Sequence, residues 1–215
     1  PKAGGAFHAF GHAIPDPWHR MGVILSCTAS LNWRAKMTGQ KATDLSKAAE
    51  AQFKGPGEEI FLPYLSGERT PHNNAHARGS FVGLSHVTDP AKLAQAVMEG
   101  VTFAFKDSQR VLADAGTKID RLIAVGGGSN SPLWLKMIAT SLGMDIQVPH
   151  DGDFGGAFGA ARLGLCAAES ADPTDVMTMP AIKHVVEPDA NLTSAYADQY
   201  ARYRALYPAI EDARK

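Results

Sequence analysis

Residues 122–142 read LIAVGGGSNSPLWLKMIATSL, and this stretch decides the fold class. It opens on a short apolar run, Leu122 to Val125, long enough for one buried strand. Gly126, Gly127 and Gly128 follow at once. Ser131 and Pro132 then supply a helix start: a hydroxyl that can accept a free backbone N–H, and a ring already set at helical φ. Leu133, Trp134, Met137, Ile138 and Leu142 recur at helical spacing, and Gly143 stands where a helix ends. The pattern is strand, glycine corner, helix.

The corner has two readings. Glycine between a strand and a helix serves many αβ proteins only as a tight turn that lets the two elements pack closely. A main chain without Cβ atoms also lets something flat or bulky lie against it. The stretch is neither G-x-G-x-x-G nor G-x-x-x-x-G-K-[ST], so neither of those phosphate-binding mechanisms applies.

Working outward, the 215 residues suffice for one good core, and 45% hydrophobic content with a formal net charge of −1 is ordinary globular composition. The absence of a basic excess gives nucleic acid no electrostatic support. No apolar run reaches membrane-spanning length, and no signal peptide is expected at the start. Cys27 and Cys166 are far apart in apolar surroundings, so free thiols in a reducing, cytoplasmic setting are expected. Residue 1 is proline, which points to a processed start or a fragment.

Residues 6–14 read weakly as a strand and PDP at 15–17 as a turn. His8 and His12 stand four apart, but Gly11 and Pro15 argue against the helix that would make such spacing a metal site. A helix is expected over Met21–Met37, stopped by Gly39. Asn32 on it is either a surface residue or a group pointing into a cleft. Asp44 to Phe53 reads as a short helix with an Asp cap. Pro63 makes Ile60–Leu65 an edge strand or a strand end. Ser66 to Leu84 is a long aperiodic loop, of a kind that is usually functional. In it Glu68 and Arg69 either pair with each other or leave Arg69 for an anionic ligand.

Asp89-Pro90 starts a long helix whose apolar face includes Leu93, Val97, Val101, Phe105 and Leu112, ended by Gly116. After a strand at Met144–Val148, the glycines of 151–165 give a helix with one smooth face, expected to pack against a sheet or another helix. A short helix at Pro173–Met179, a last strand at Lys183–Val186 and an amphipathic helix at Ala195–Ala213 complete the chain. Helix and strand alternate through most of the chain, so the fold class is α/β with a mixed sheet.

The run FLPYLSGERTPHNN at 61–74 followed by RGSFVGLSH at 78–86 resembles the second signature region of the FGGY carbohydrate kinases. HAFGHAIPDPWHRMGVILS (8–26), VGGGSNSPLW (125–134) and DFGGAFGAARLG (153–164) match the same group in the same order, most closely its xylulokinase branch. One departure is Lys92, where the signature usually carries an acidic, amide or imidazole side chain.

The resemblance implies an actin-like ATPase, ribonuclease-H-like domain with a mixed sheet flanked by helices. It implies that residues 1–215 are the C-terminal nucleotide-binding domain. The sugar-binding N-terminal domain and the catalytic Asp are then expected upstream of Pro1, so no catalytic residue and no metal ligand is assigned here. Gly127 and Gly128, with Ser129 and Asn130 alongside, match the turn that approaches adenosine. Thr28 and Asn32 match helix positions on the other side of that pocket. The implied activity is phosphoryl transfer from ATP, as its Mg complex, to a sugar hydroxyl, with D-xylulose the first choice and ribulose, gluconate or glycerol the alternatives. A non-catalytic nucleotide-binding or assembly module is the other class. The expected partners are ATP or ADP and, through the missing domain, the sugar, with room for a homodimer but no nucleic acid or membrane.

Overall fold

The computed structural model describes residues 7–14, 16–150, 152 and 155–214. Pro15 of the expected turn and Asp153-Phe154 of the last family motif lie outside them, as do Pro1 to Ala6.

Two antiparallel hairpins and one mixed sheet are arranged around a long helix. The first hairpin pairs β1 (His8–Gly11) with β2 (Trp18–Met21). Then come α1 (Cys27–Thr38) and α2 (Ala42–Gln52). The second hairpin pairs β3 (Ile60–Leu62) with β4 (Ser80–Val82). The long helix α3 (Pro90–Asp114) follows, then β5 (Leu122–Ile123), a 3₁₀ turn at Gly127–Asn130, α4 (Pro132–Leu142) and β6 (Ile146–Pro149). The chain ends with α5 (Gly155–Glu169), α6 (Pro173–Val176), β7 (Ile182–Val186) and α7 (Thr193–Ala213). In the sheet β5-β6-β7, β5 runs parallel and β7 antiparallel to β6. Among the described residues no helix is long and apolar enough to cross a membrane.

Helix α3 is the centre, packing against α1, α2, α4, α7 and β3. Its Val97, Met98, Val101 and Phe103 are buried with Leu31, Leu45, Phe61, Tyr64, Trp134, Met137, Tyr196 and Tyr203. A smaller cluster of Leu135, Ala139, Ile146 and Val148 lies between α4 and the mixed sheet. The α3 cap forms as the sequence suggests: the Asp89 carboxylate accepts the Lys92 N–H at 2.8 Å, and that bond holds the carboxyl below its usual range. Replacing Asp89 with Ala is expected to cost about 1 kcal/mol in urea unfolding, the usual value of a lost N-cap.

The structure corrects several expectations. Helix α1 starts at Cys27, not Met21, because the preceding backbone is taken up elsewhere. Val23 N–H donates to Thr70 Oγ1, Thr70 N–H to the Val23 carbonyl, and Leu25 N–H to Glu68 Oε1. Helix α2 has Lys41 at its N-cap position, without a side-chain cap, and carries Asp44 inside its first turn. Pro63 does end β3, but the long loop after it contains strand β4. Strand β5 is not buried. Leu122 and Ile123 are half-buried and Val125 is 57% exposed, because β5 is the edge of its sheet. The smooth helix α5 buries none of its residues, and added Cβ atoms at Gly156, Gly159 and Gly164 would meet nothing within 4 Å. Glycine and alanine permit close approach but offer little apolar area to drive it.

Candidate functional site

The glycine corner is built from both ends. Ala124 N–H extends the β5 ladder by donating to the Gln147 carbonyl at 2.9 Å. Gly126 then adopts φ +85°, a left-handed conformation costly for any residue with a Cβ, and its N–H donates to the Gly152 carbonyl. The 3₁₀ turn closes when Ser129 donates to the Gly126 carbonyl through both its backbone N–H (3.0 Å) and its hydroxyl (2.7 Å). Ser131 caps α4 by accepting the Trp134 N–H. The buried Trp134 indole donates to the Met98 carbonyl at 2.9 Å and so fixes α4 on α3.

The turn faces the first half of α1. A Cβ added at Gly128 would lie 2.8 Å from Thr28 Cγ2, so glycine is what lets the corner approach α1 this closely. A Cβ added at Gly127 would meet nothing within 4 Å, and that stretch of main chain lies bare. Thr28 and Asn32, one helical turn apart and both exposed, form the opposite wall. Helix α2 closes the far end, where Ser46 Oγ and Ser131 Oγ hydrogen-bond at 2.8 Å. The open cleft between them has a volume of about 510 Å³. That is within the range of about 300–1,000 Å³ usual for small-molecule sites.

Of the six residues expected from the sequence, Thr28, Asn32, Gly127, Gly128 and Asn130 line this cleft together. Ser129 does not. It faces a neighbouring apolar cavity of about 370 Å³ between the turn, β5 and α4, which also exposes Cys27. Burial pushes the Cys27 thiol up, so it stays protonated and is a poor nucleophile.

Sequence reasoning missed the α2 wall. Thr43, Ser46, Lys47 and Glu50 line the cleft. They recur at i, i+3, i+4 and i+7, opposite the buried Leu45 and Ala49. That stripe was visible in the sequence but is indistinguishable there from an ordinary solvated face.

Glu68 does not pair with the Arg69 guanidinium. It is buried, and its Oε1 accepts the N–H groups of Leu25 (3.1 Å) and Arg69 (2.7 Å). Burial raises its carboxyl to about 7. The residue thus anchors the segment that leads into α1 and its Thr28. The Arg69 guanidinium instead donates to Asn73 Oδ1. Among the described residues no group of three or more His, Cys, Asp or Glu side chains is placed to hold a metal ion. The bare glycine corner, with the neutral Thr28 and Asn32 facing it, offers a flat surface that suits the neutral part of a nucleoside.

The chain is 40% identical over 211 residues to the xylulose kinase of Escherichia coli (strain K12), covering 97% of this chain and 44% of that relative. A solved structure of a xyloylose kinase from Brucella ovis matches with a TM-score of 0.91 and 52% identity, over 99% of this chain and 44% of the other. The xylulose kinase structure from Rhodospirillum rubrum matches with a TM-score of 0.82 and 26% identity, over 99% of this chain and 44% of the other. The chain therefore spans less than half the length of these relatives, and its fold is of the actin-like ATPase type. Residues 5–168 match the model of the C-terminal domain of the FGGY family of carbohydrate kinases, and the chain belongs to that family.

Proposed function

We propose that this chain is the nucleotide-holding half of a sugar kinase that transfers the γ-phosphoryl group of MgATP to a hydroxyl of a pentulose, D-xylulose first among them. The observation that carries the reading is the bare corner at Gly127–Gly128, held against Thr28 at the mouth of a nucleoside-sized cleft. The names of the relatives support the sugar. In this reading Gly127 and Gly128 lie along the adenosine, Thr28 and Asn32 face it from α1, and Asn130 borders it from the turn.

Positioning and charge stabilisation dominate phosphoryl transfer. The chain's part is to hold the donor. The base that takes the hydroxyl proton and the groups that hold Mg belong to the remainder of the longer protein. Closure of that remainder over the cleft excludes water and so limits hydrolysis of ATP.

The test is Gly127→Val. The site has open space for the side chain, so thermal stability is expected to change by less than about 0.5 kcal/mol, the usual range for surface substitutions. ADP binding by calorimetry is expected to weaken at least tenfold, roughly 1.4 kcal/mol. Unchanged ADP affinity in a stably folded variant would show that the ligand lies elsewhere.

A further inference from the structure

The α2 wall has a chemistry that the rest of the cleft lacks. The glycine turn supplies bare main chain, and Thr28 and Asn32 are neutral. Among the described residues lining the cleft, charge comes only from Lys47 and Glu50, both exposed on α2. They are three residues apart on one helix, so their Cβ atoms are neighbours at about 5–6 Å. Lysine offers donors only, and an ionised glutamate offers acceptors only. The pair therefore presents a donor and an acceptor side by side at the closed end of the cleft.

Of the parts of a nucleotide, the polar edge of the base needs such a pair. Ribose and the base face are served by the glycine corner. The Glu50 carboxylate offsets the Lys47 ammonium, so α2 presents no net positive charge to hold the phosphates. The hydrogen-bonding edge of adenine carries an amino donor beside a ring-nitrogen acceptor. That of guanine carries a carbonyl acceptor beside ring N–H and amino donors. A carboxylate accepts from the adenine amino group or from the two guanine donors. An ammonium donates to the adenine ring nitrogen or to the guanine carbonyl. Both side chains sit on flexible stems, which can shift to meet either pattern.

We infer that α2 is the base-reading wall of the cleft, and that Lys47 and Glu50 make it accept guanine as well as adenine nucleotides. This rests on the nucleotide reading given above and specifies its ligand range.

The experiment is titration calorimetry of ADP and GDP against the full chain and its Glu50→Ala and Lys47→Ala variants, with circular dichroism to confirm folding. In the unaltered chain GDP is expected to bind within about tenfold of ADP. Glu50→Ala removes the acceptor for two guanine donors but for one adenine donor. It is expected to weaken GDP about tenfold and ADP about threefold, on the scale of one lost hydrogen bond to a charged group. Lys47→Ala is expected to weaken both by a similar few-fold factor. The inference is overturned if ADP binds and GDP is more than tenfold weaker, or if Glu50→Ala leaves the ratio of the two affinities unchanged. Failure of the unaltered, folded chain to bind either nucleotide would overturn the nucleotide reading itself.

Discussion

Replacing Gly100 with Ala is expected to lower the stability of the chain by at least about 3 kcal/mol, at the upper end of the usual cost of overpacking a core. Gly100 sits in the middle of α3 where that helix crosses β3. An added Cβ would overlap the carbonyl oxygen of Phe61 and lie 3.1 Å from its carbonyl carbon and 3.3 Å from its ring. The first two obstacles are backbone, so no rotamer change relieves them. Helix and hairpin must move apart, and the buried contacts of Phe61, Leu62 and Val101 loosen together. Intrinsic propensity acts the other way, since alanine in a helix interior is better than glycine by about 1 kcal/mol. The overlap outweighs it. For a domain of this size the loss corresponds to a drop in Tm of roughly 6–12 °C, readable by circular dichroism. Gly159→Ala in α5 is the control. Its Cβ would meet nothing within 4 Å, so only the propensity gain of about 0.5–1 kcal/mol remains. A Gly100→Ala variant melting at or above the unaltered chain would show that α3 does not press on β3 as described.

The same contrast shows what the sequence could and could not reveal. Helix α4 was legible because all its signals are local: Ser131 and Pro132 start it and Gly143 stops it at φ +68°, at the expected positions. The α3 cap at Asp89 was legible for the same reason. The start of α1 was misread because Met21 to Cys27 are largely apolar at suitable spacing, while the bonds that hold Val23 and Leu25 outside the helix come from Thr70 and Glu68, more than forty residues away. The glycines at 126–128 and those of α5 looked equally smooth. Only the fold separates Gly128, tight against Thr28, from Gly159, where an added Cβ would meet nothing within 4 Å. Within the cleft, Thr28, Asn32, Gly127, Gly128 and Asn130 came from family motifs. The α2 wall did not, because a polar stripe on a helix reads as solvated surface until another element is brought to face it. Buried carboxylates were the least legible feature. Glu68 lies in a stretch rich in polar residues, and Glu99 differs in no local way from an exposed glutamate on a long helix.

Glu99 leads to the other large expected effect: the chain should lose stability as the pH rises from about 5 to 8. The side chain is 1% exposed. Its Oε1 accepts from Gln95 Nε2 at 2.9 Å, the Gly57 N–H at 3.1 Å and the Tyr196 hydroxyl at 3.4 Å. Gln199 joins the same knot by donating to the Gly57 carbonyl, so the loop at Gly57, α3 and α7 are tied at one place. Burial, with the nearby Glu59 carboxylate adding to it, raises the Glu99 carboxyl from 4.5 to about 7 despite the three donors.

The folded protein therefore holds this proton more tightly than the unfolded chain. A group raised in this way contributes stability that is complete below about 4.5 and is lost as the pH climbs through about 7. At about 1.4 kcal/mol per pH unit, the displacement corresponds to roughly 3 kcal/mol. Glu68, also raised to about 7 by burial, acts in the same direction. His72, lowered to about 4 by burial, opposes them, but only below its ordinary value of 6.5.

The clean measurement is Glu99→Gln against the unaltered chain, by urea unfolding at pH 5 and pH 8. The amide cannot ionise, so the variant escapes the rising cost. Relative to the unaltered chain it is expected to gain roughly 2.5 kcal/mol between the two pH values, whatever its absolute stability at either, because part of the effect falls below pH 5. The contributions of Glu68 and His72 are common to both proteins and cancel in that difference. A difference that stays flat within about 0.5 kcal/mol would mean that the carboxylate at the centre of this knot is hydrated in solution, and that α7 is not locked to α3 through it.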